Sequence, residues 1–109
     1  MLVKTYGAAV QGIHASTITI EVNISPGIRF LLVGLPDNAI KESHERIISA
    51  LDFCGMKFPH YQIVVNMAPA DIKKEGAAYD LPLAIGMLAA EEEVKTQMLE
   101  DYLIMGELS

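Results

Sequence analysis

One stretch of the sequence, KKEGAAYDLPLAIG at residues 73–86, combines charged, small and apolar residues in an order suited to binding or catalysis. Asp80 and Pro82 are residue types that begin a helix, because aspartate caps the first N–H groups and proline needs no N–H there. The main interpretation is therefore a helix cap. A second interpretation is that Gly76, Ala78 and the helix N-terminus form a concavity for an anion or a carbonyl oxygen.

Lys73 and Lys74, followed by a glutamate, form a short mixed-charge run just before this turn. Such a run is most often a solvated loop, and we predict that here. Because loops on a rigid scaffold frequently carry binding residues, a role for the two lysines in contacting a partner is the alternative. Asp37, Lys41 and Arg46, on the first predicted helix, are further candidates for an interaction surface.

The histidines and the single cysteine are isolated from one another along the chain. His14, His44, His60 and Cys54 lack the paired short spacing of zinc ligands, so we predict no metal site. Cys54 falls on the apolar stripe of a predicted helix, where a small buried hydrophobe is favoured over a nucleophile. His44 borders the same stripe and is predicted to be partly buried rather than a general base, and His60 is predicted at the surface.

Neither of two common phosphate-binding motifs occurs in the chain. The string GxxxxGK[ST], which cradles nucleotide phosphates, is absent, and so is the dinucleotide fingerprint GxGxxG. We therefore expect no cofactor in this chain.

Composition sets the broad class of protein. The chain has 109 residues, 51% of them hydrophobic, a single cysteine and a formal net charge of −6. That length suits one domain with its own core, and no apolar run reaches the ~18 residues of a membrane span. The cysteine usage and the absence of a signal-like N-terminus predict a cytoplasmic setting. The acidic balance disfavours nucleic-acid binding by this piece alone.

Strand patterns dominate the first half. Alternation over Thr17–Ile24 predicts a half-buried strand, preceded by a strand over Val3–Val10. The run Phe30–Val33 predicts a short buried central strand, and the segment Tyr61–Met67 predicts another. A last strand is predicted over Tyr102–Met105, and because it runs into the end of the chain we expect a fragment of a longer protein.

Two helices are predicted between and after these strands. The first opens at Pro36-Asp37-Asn38, with Asp37 or Asn38 as its cap, and stops at Gly55. Its apolar stripe consists of Ile40, Ile47, Ile48, Leu51 and Cys54. The second, from Leu81, is apolar almost all round and ends in the polar Glu91–Glu93, and Gly86 within it indicates close packing against a neighbour. The order predicts an α/β fold, an α+β two-layer sandwich with four to five strands and two main helices on one sheet face.

Three segments together resemble a known family. VGLPDNAIKESHERIISAL at 33–51, NMAPADIKKEGAAYDLPLAIGMLAA at 66–90 and GELS at 106–109 are similar to the N-terminal Lon-protease-like domain of magnesium-chelatase-related AAA+ proteins, the ComM/YifB group. The likeness covers nearly the whole chain. It implies a fold like domain 2 of ribosomal protein S5, over residues 1–109, truncated before the rest of the domain and a AAA+ ATPase module.

The resemblance also carries expectations about activity. In Lon-type peptidases the corresponding loop holds a catalytic serine that a later lysine activates. Ala78 stands at that serine's place here and has no hydroxyl, so no Ser-Lys dyad is expected. The family implies a noncatalytic assembly or regulatory domain of a AAA+ ATPase that acts on DNA, in branch migration during recombination and natural transformation.

Partners and alternatives follow from the same resemblance. The implied partners are the rest of the AAA+ ring, a homo-hexamer in the full-length protein, and DNA through that protein, with no membrane. ATP and magnesium are expected in the ATPase module of the parent. Two alternatives stay open: a motor subunit for metal insertion like that of magnesium chelatase, and a Lon-like Ser-Lys peptidase.

Overall fold

The chain folds into a four-stranded mixed sheet covered on one face by helices. The structure is a computed structural model that describes residues 2–92 and 95–109. The strands are β1 (Leu2–Gln11), β2 (His14–Ser25), β3 (Phe30–Val33) and β4 (Gln62–Ala68), and the helices are α1 (Asn38–Lys41), α2 (Ser43–Phe53) and α3 (Asp80–Ala90). Single 3₁₀ turns lie at Ala77–Tyr79 and Leu99–Asp101. The predicted two-layer α/β class is confirmed.

The sheet order is β1-β2-β4-β3. β1 pairs with β2 and β2 with β4 in antiparallel fashion, whereas β3 pairs with β4 in parallel through a crossover that contains α1 and α2. The prediction of Phe30–Val33 as a central strand is wrong. Because β4 inserts between β2 and β3, β3 lies at the edge of the described sheet and is only partly buried.

The helix α3 packs on β1 and β2, and the core lies between the helices and the inner side chains of β2 and β4. Alternate residues of these strands are fully buried, as the period of two requires, and α3 is buried almost all round. The contributing residues include Ile18, Ile20, Val22, Ile63, Val65, Met67, Leu83 and Met87. Gly86 confirms the predicted close approach, since a Cβ on it would lie 2.7 Å from Cγ2 of Val22.

The first predicted helix is interrupted. Glu42, with φ −80° and ψ −8°, separates α1 from α2, because this ψ departs from the helical value near −42°. The predicted apolar stripe holds for Ile40, Ile47 and Leu51, which are buried. Cys54 is exposed, contrary to the prediction, because α2 ends at Phe53 and the stripe does not continue past the last turn.

The predicted C-terminal strand over Tyr102–Met105 does not form. The N–H of Ile104 donates to the carbonyl oxygen of Tyr6 at 2.7 Å, but the chain then leaves the edge of β1 and runs to α3. The predicted polar end of α3 includes Glu93, which lies outside the described residues. Among the helices of the described part, none combines the length and apolar character that a bilayer span requires.

Candidate functional site

Lys74 is completely buried, which contradicts its prediction as part of a solvated loop. Its ammonium donates to the carbonyl oxygen of Gly34 at 2.6 Å and to that of Pro69. Burial lowers the pKa of Lys74, and the charge of Asp71 opposes part of that shift. The backbone of Lys74 also pairs with the turn after β3, since its N–H donates to Leu35 and its carbonyl accepts from Asp37. Lys74 therefore fastens the loop before α3 to the β3–α1 turn.

Asp37 joins the same loop to α1. One carboxylate oxygen accepts from the N–H of Ile40 at 2.9 Å, which makes Asp37 the predicted cap of α1. The other accepts from the N–H of Gly76 at 3.0 Å. Gly76 has φ 94°, a left-handed conformation in which glycine avoids the steric penalty of a Cβ. The N–H that the concavity hypothesis needed from Gly76 is thus already bonded within the chain.

Asp80 is not a side-chain cap of α3, contrary to the prediction. It is the first helical residue, Tyr79 occupies the cap position, and no side-chain cap bond forms there. Its fully buried carboxylate instead faces the guanidinium of Arg46, with Nε 2.6 Å from Oδ2 and Nη2 3.0 Å from Oδ1. This bidentate bond raises the pKa of Arg46, against the opposing effect of burial. Arg46 also donates to the carbonyl oxygen of Ala39, so one side chain links α1, α2 and α3.

The C-terminal residues occupy the N-terminus of α3. Gly106 accepts from the N–H of Leu81 at 2.9 Å and donates to the carbonyl oxygen of Ala78 at 2.7 Å. The N–H of Leu108 donates to Oδ2 of Asp80 at 3.1 Å. A Cβ on Gly106 would lie 3.2 Å from Cδ2 of Leu81, tighter than most Cβ contacts. The segment therefore fills the place in which the sequence suggested an anion or oxyanion site.

Two further polar contacts hold α3 against β1. The hydroxyl of Tyr79 donates to the carbonyl oxygen of Ala8 at 2.9 Å, and Thr5 Oγ1 donates to the carbonyl oxygen of Pro82 at 3.0 Å. Burial, and secondarily the charge of Asp37, raises the pKa of Tyr79. These bonds satisfy groups that would otherwise be buried without a partner.

The remaining candidate cations stay at the surface. Lys41 is exposed in the last turn of α1. Lys73 forms an ion pair with Glu75 at 3.6 Å between two side chains that are each about two-thirds exposed, a geometry of small energetic value. The structure thus joins Asp37, Lys74 and Gly76 in one set of hydrogen bonds, and Arg46 and Asp80 in another.

A second cluster, of rings, was not anticipated as a site. His44 is partly buried, as predicted, and its imidazole stacks on Phe30 with ring centroids 4.3 Å apart and planes 3° apart. Phe58 lies tilted against both rings. These rings line a surface depression of about 240 Å³, to which Arg29, His60 and Tyr61 also contribute. The sequence held no local signal for this cluster, because its members lie on three separate segments.

A metal site is not among the features that the described residues offer. Within residues 2–92 and 95–109, no group of three or more His, Cys, Asp or Glu side chains is placed to hold an ion. Cys54 is exposed at the end of α2, and His60 is exposed before β4, in agreement with its prediction at the surface.

Comparison with known proteins decides the family. Residues 20–109 match the family model described as "Subunit ChlI of Mg-chelatase". The chain belongs to this family. The match spans the loop of residues 73–80 and both helices that carry the Arg46–Asp80 pair.

Curated relatives of this family match nearly the whole chain. The chain is 45% identical to "Uncharacterized protein YifB" of Escherichia coli over 102 residues, which cover 93% of the chain and 20% of that protein. It is 43% identical to "Competence protein ComM" of Haemophilus influenzae over 109 residues, covering 99% of the chain and 21% of that protein. An uncharacterized protein of Mycobacterium tuberculosis, Rv2897c, is 36% identical over 97% of the chain. The resemblance to the ComM/YifB group is confirmed, and the chain spans about a fifth of the length of these relatives.

Proposed function

We propose that the chain is a noncatalytic assembly or regulatory domain of a AAA+ ATPase that acts on DNA. The observation that carries the proposal is that the polar groups of the loop before α3, at Lys74, Gly76 and Asp80, are already bonded within the chain. Ala78, which the resemblance to Lon-type peptidases puts at the nucleophile's position, has only a methyl side chain. A loop so fastened serves to hold α3 and the C-terminal segment in a fixed relation.

Membership of the family supports the proposed role of the longer protein in DNA processing. ComM of Haemophilus influenzae is named a competence protein, and 99% of the chain matches 21% of its length. By analogy we propose that the longer protein remodels DNA, by branch migration of recombination intermediates, as a cytoplasmic homo-hexameric ring. In that ring this domain would contribute to assembly or to partner contact.

ATP and magnesium would be held elsewhere in the longer protein. The loop lysine of this chain does not fit a phosphate, because the ammonium of Lys74 is buried against two carbonyl oxygens. The first-turn N–H of Leu81 is likewise bonded, to Gly106. We therefore assign no nucleotide chemistry to these residues.

Deletion in the full-length protein tests the proposal. Removing residues 1–109 should leave the ATPase module able to hydrolyse ATP but impair ring assembly or branch migration of a synthetic four-way DNA junction. A second variant, Asp80→Ala in the full-length protein, should weaken the same activity by loosening the C-terminal segment. Unimpaired branch migration by the truncated protein would overturn the proposal.

A second candidate function rests on the family's own description. The matched family is that of a magnesium-chelatase subunit, which favours a role in metal insertion into a porphyrin. Loss of the gene should then abolish porphyrin metallation in cells and leave transformation and recombination unchanged. The two candidates thus give opposite results in one deletion strain.

A peptidase has less support. Ala78 lacks a nucleophilic hydroxyl, and the nearby Lys74 ammonium is engaged by Gly34 and Pro69. Turnover of casein by the full-length protein, blocked by a serine-reactive probe, would favour this candidate instead.

A further inference from the structure

We propose that residues 104–108 are a releasable strap, which leaves the groove between β1 and α3 while the rest of the domain stays folded, and so controls access to the first turn of α3. The inference rests on the proposed function as a regulatory domain and names its moving part. Residues 104–108 are called the strap below. The groove is the surface that holds it, formed by Tyr6, Gly7, Ala78, Asp80 and Leu81.

The strap lies in the groove as an extended segment. Ile104, Gly106 and Leu108 are half-buried, whereas the residues between them are exposed. This alternation is the period of two of an extended chain. The N–H of each half-buried residue donates to an acceptor of the groove, and the carbonyl oxygen of Gly106 accepts from the N–H of Leu81. The groove therefore recognises the strap mainly through its backbone.

Two glycines allow the strap and the groove to approach closely. A Cβ on Gly106 would lie 3.2 Å from Cδ2 of Leu81, and a Cβ on Gly7 would lie 2.8 Å from Sδ of Met105. The φ of Gly106 is outside the left-handed region, so an alanine there would be opposed by this contact and not by the backbone. A methyl group at Gly106 should thus push the strap away without altering the groove.

Release of the strap leaves the buried charges paired. Asp80 accepts from Leu108 of the strap, but Arg46 on α2 holds both of its carboxylate oxygens. A buried charge becomes costly when its counter-ion is removed, and here the counter-ion stays in place. The buried core residues of the described chain lie between residues 3 and 90, and the strap adds the partly buried Leu108. Release therefore gives up a few hydrogen bonds and little apolar burial.

The first turn of α3 changes when the strap leaves. The N–H groups of a first turn have no partner within their helix, and that of Leu81 finds one in the strap. Without the strap, this N–H and the carbonyl oxygens of Tyr6 and Ala78 become available to another extended segment. In the proposed longer protein, where the ATPase module follows this domain, movement of that module would pull the strap away.

Amide hydrogen exchange of the 109-residue chain tests release directly. The amides of Leu81 and Gly106 should exchange together, at least about tenfold faster than the slowest amides of β2 and β4, because local opening exposes them without global unfolding. Low concentrations of urea should accelerate the slow amides of the sheet but barely affect these two, since release exposes little surface.

A matched pair of variants locates the effect. Gly106→Ala should accelerate exchange at the Leu81 amide by at least about tenfold and leave the amides of β2 and β4 unchanged. Leu103→Ala, at a 60% exposed position beside the strap, is the control and should leave the Leu81 amide unchanged.

A peptide that copies the strap tests the groove itself. The sequence YLIMGELS, residues 102–109, should slow exchange of the Leu81 amide again when it is added to the Gly106→Ala chain at about 1 mM, the effective concentration of a tethered segment. The same peptide with alanine in place of its glycine should have no effect. In the full-length protein, Gly106→Ala should retain ATP hydrolysis and lose branch migration.

Three results would overturn the inference. The first is exchange of the Leu81 amide at the rate and urea dependence of the slowest sheet amides, which would mean that the strap leaves only on global unfolding. The second is a failure of YLIMGELS to slow that exchange. The third is unchanged branch migration by full-length Gly106→Ala. If that variant is active but deletion of residues 1–109 still impairs the full-length protein, only this inference falls and the proposed function stands.

Discussion

The guanidinium of Arg46 on α2 holds both carboxylate oxygens of Asp80 at the start of α3, at 2.6 Å and 3.0 Å. The carboxylate is fully buried and the arginine side chain is 25% exposed. Oδ2 of the same carboxylate accepts from the N–H of Leu108. One ion pair therefore links two helices and the C-terminal segment.

Removal of this carboxylate should be strongly destabilising. Asp80→Ala leaves a largely buried guanidinium without its counter-ion, and breaking a buried pair in this way costs about 3 kcal/mol or more in the free energy of unfolding. A helix cap would account for only about 0.5–2 kcal/mol. Urea unfolding with linear extrapolation distinguishes the two values. Glu75→Ala, in the exposed ion pair of the same loop, is the control and should change stability by less than about 0.5 kcal/mol.

The buried Lys74 should make stability depend on pH at the alkaline side. Its pKa in the folded chain is lowered below the ordinary value of 10.5 by burial. Between these two pKa values the unfolded chain binds more protons, so stability rises with pH in that window. The penalty for burying the ammonium is thus fully present below the folded pKa and is relieved as pH approaches 10.5.

The comparison of wild type with Lys74→Met isolates this effect. The difference in unfolding free energy, wild type minus variant, should increase as pH is raised from neutrality toward about 10, because methionine has no proton to lose. Lys73→Met, at the exposed neighbouring position, should show no such trend. A flat or falling difference for Lys74→Met would contradict the burial of a charged amine.

Gly86→Ala should reveal the contact between α3 and β2. Helix propensity alone would make this substitution stabilising by about 0.5–1 kcal/mol. The added methyl group would lie 2.7 Å from Cγ2 of Val22, so we expect a net loss of about 1–3 kcal/mol through overpacking. The double variant Gly86→Ala with Val22→Ala should regain part of that loss. Thermal unfolding gives the stability of each variant. If Gly86→Ala alone were more stable than the wild type, α3 would have to move away from β2 at little cost.

The thiol of Cys54 should react in the native state. Because Cys54 is exposed beyond the end of α2, a maleimide reagent should label it without denaturant, at a rate close to that in urea. Mass spectrometry of the intact chain gives the labelled fraction. If the thiol reacted only after unfolding, the result would contradict its exposure and support the buried position predicted from the apolar stripe.

Local sequence patterns predicted the structure correctly where residues close together along the chain determine it. The alternation over residues 17–24 predicted β2 and its buried face. Residue type and position predicted Asp37 or Asn38 as the cap of α1, and the structure selects Asp37. The tightness at Gly86 also followed from one residue, because a glycine inside an apolar helix is typical of close packing against a neighbouring element. These features depend on periods of two or 3.6 residues and on a single turn of chain.

Predictions from residue type were wrong where a partner far away along the chain determines how a side chain is bonded. Lys74 has the residue type of a solvated loop, yet carbonyl oxygens of Gly34 and Pro69 supply the partners that allow its burial. Asp80 has the residue type of a cap, but Arg46, 34 positions earlier, competes for its carboxylate. The guanidinium offers the carboxylate two hydrogen bonds and an opposite charge, whereas a cap bond uses one uncharged backbone N–H, so the tertiary contact prevails.

The sequence by itself determined the two-layer class and the order of the four strands and the helices through α3, because hydrophobic periodicity and turn residues act locally. Its similarity to known proteins determined the family. The resemblance also predicts that Ala78 stands where Lon-type peptidases carry a nucleophile. Only the tertiary structure decided what the loop of residues 73–80 does. There Lys74 bonds to Gly34, 40 positions earlier, and Asp80 to Arg46, 34 positions earlier, and no local pattern encodes which distant partner a buried charge will find.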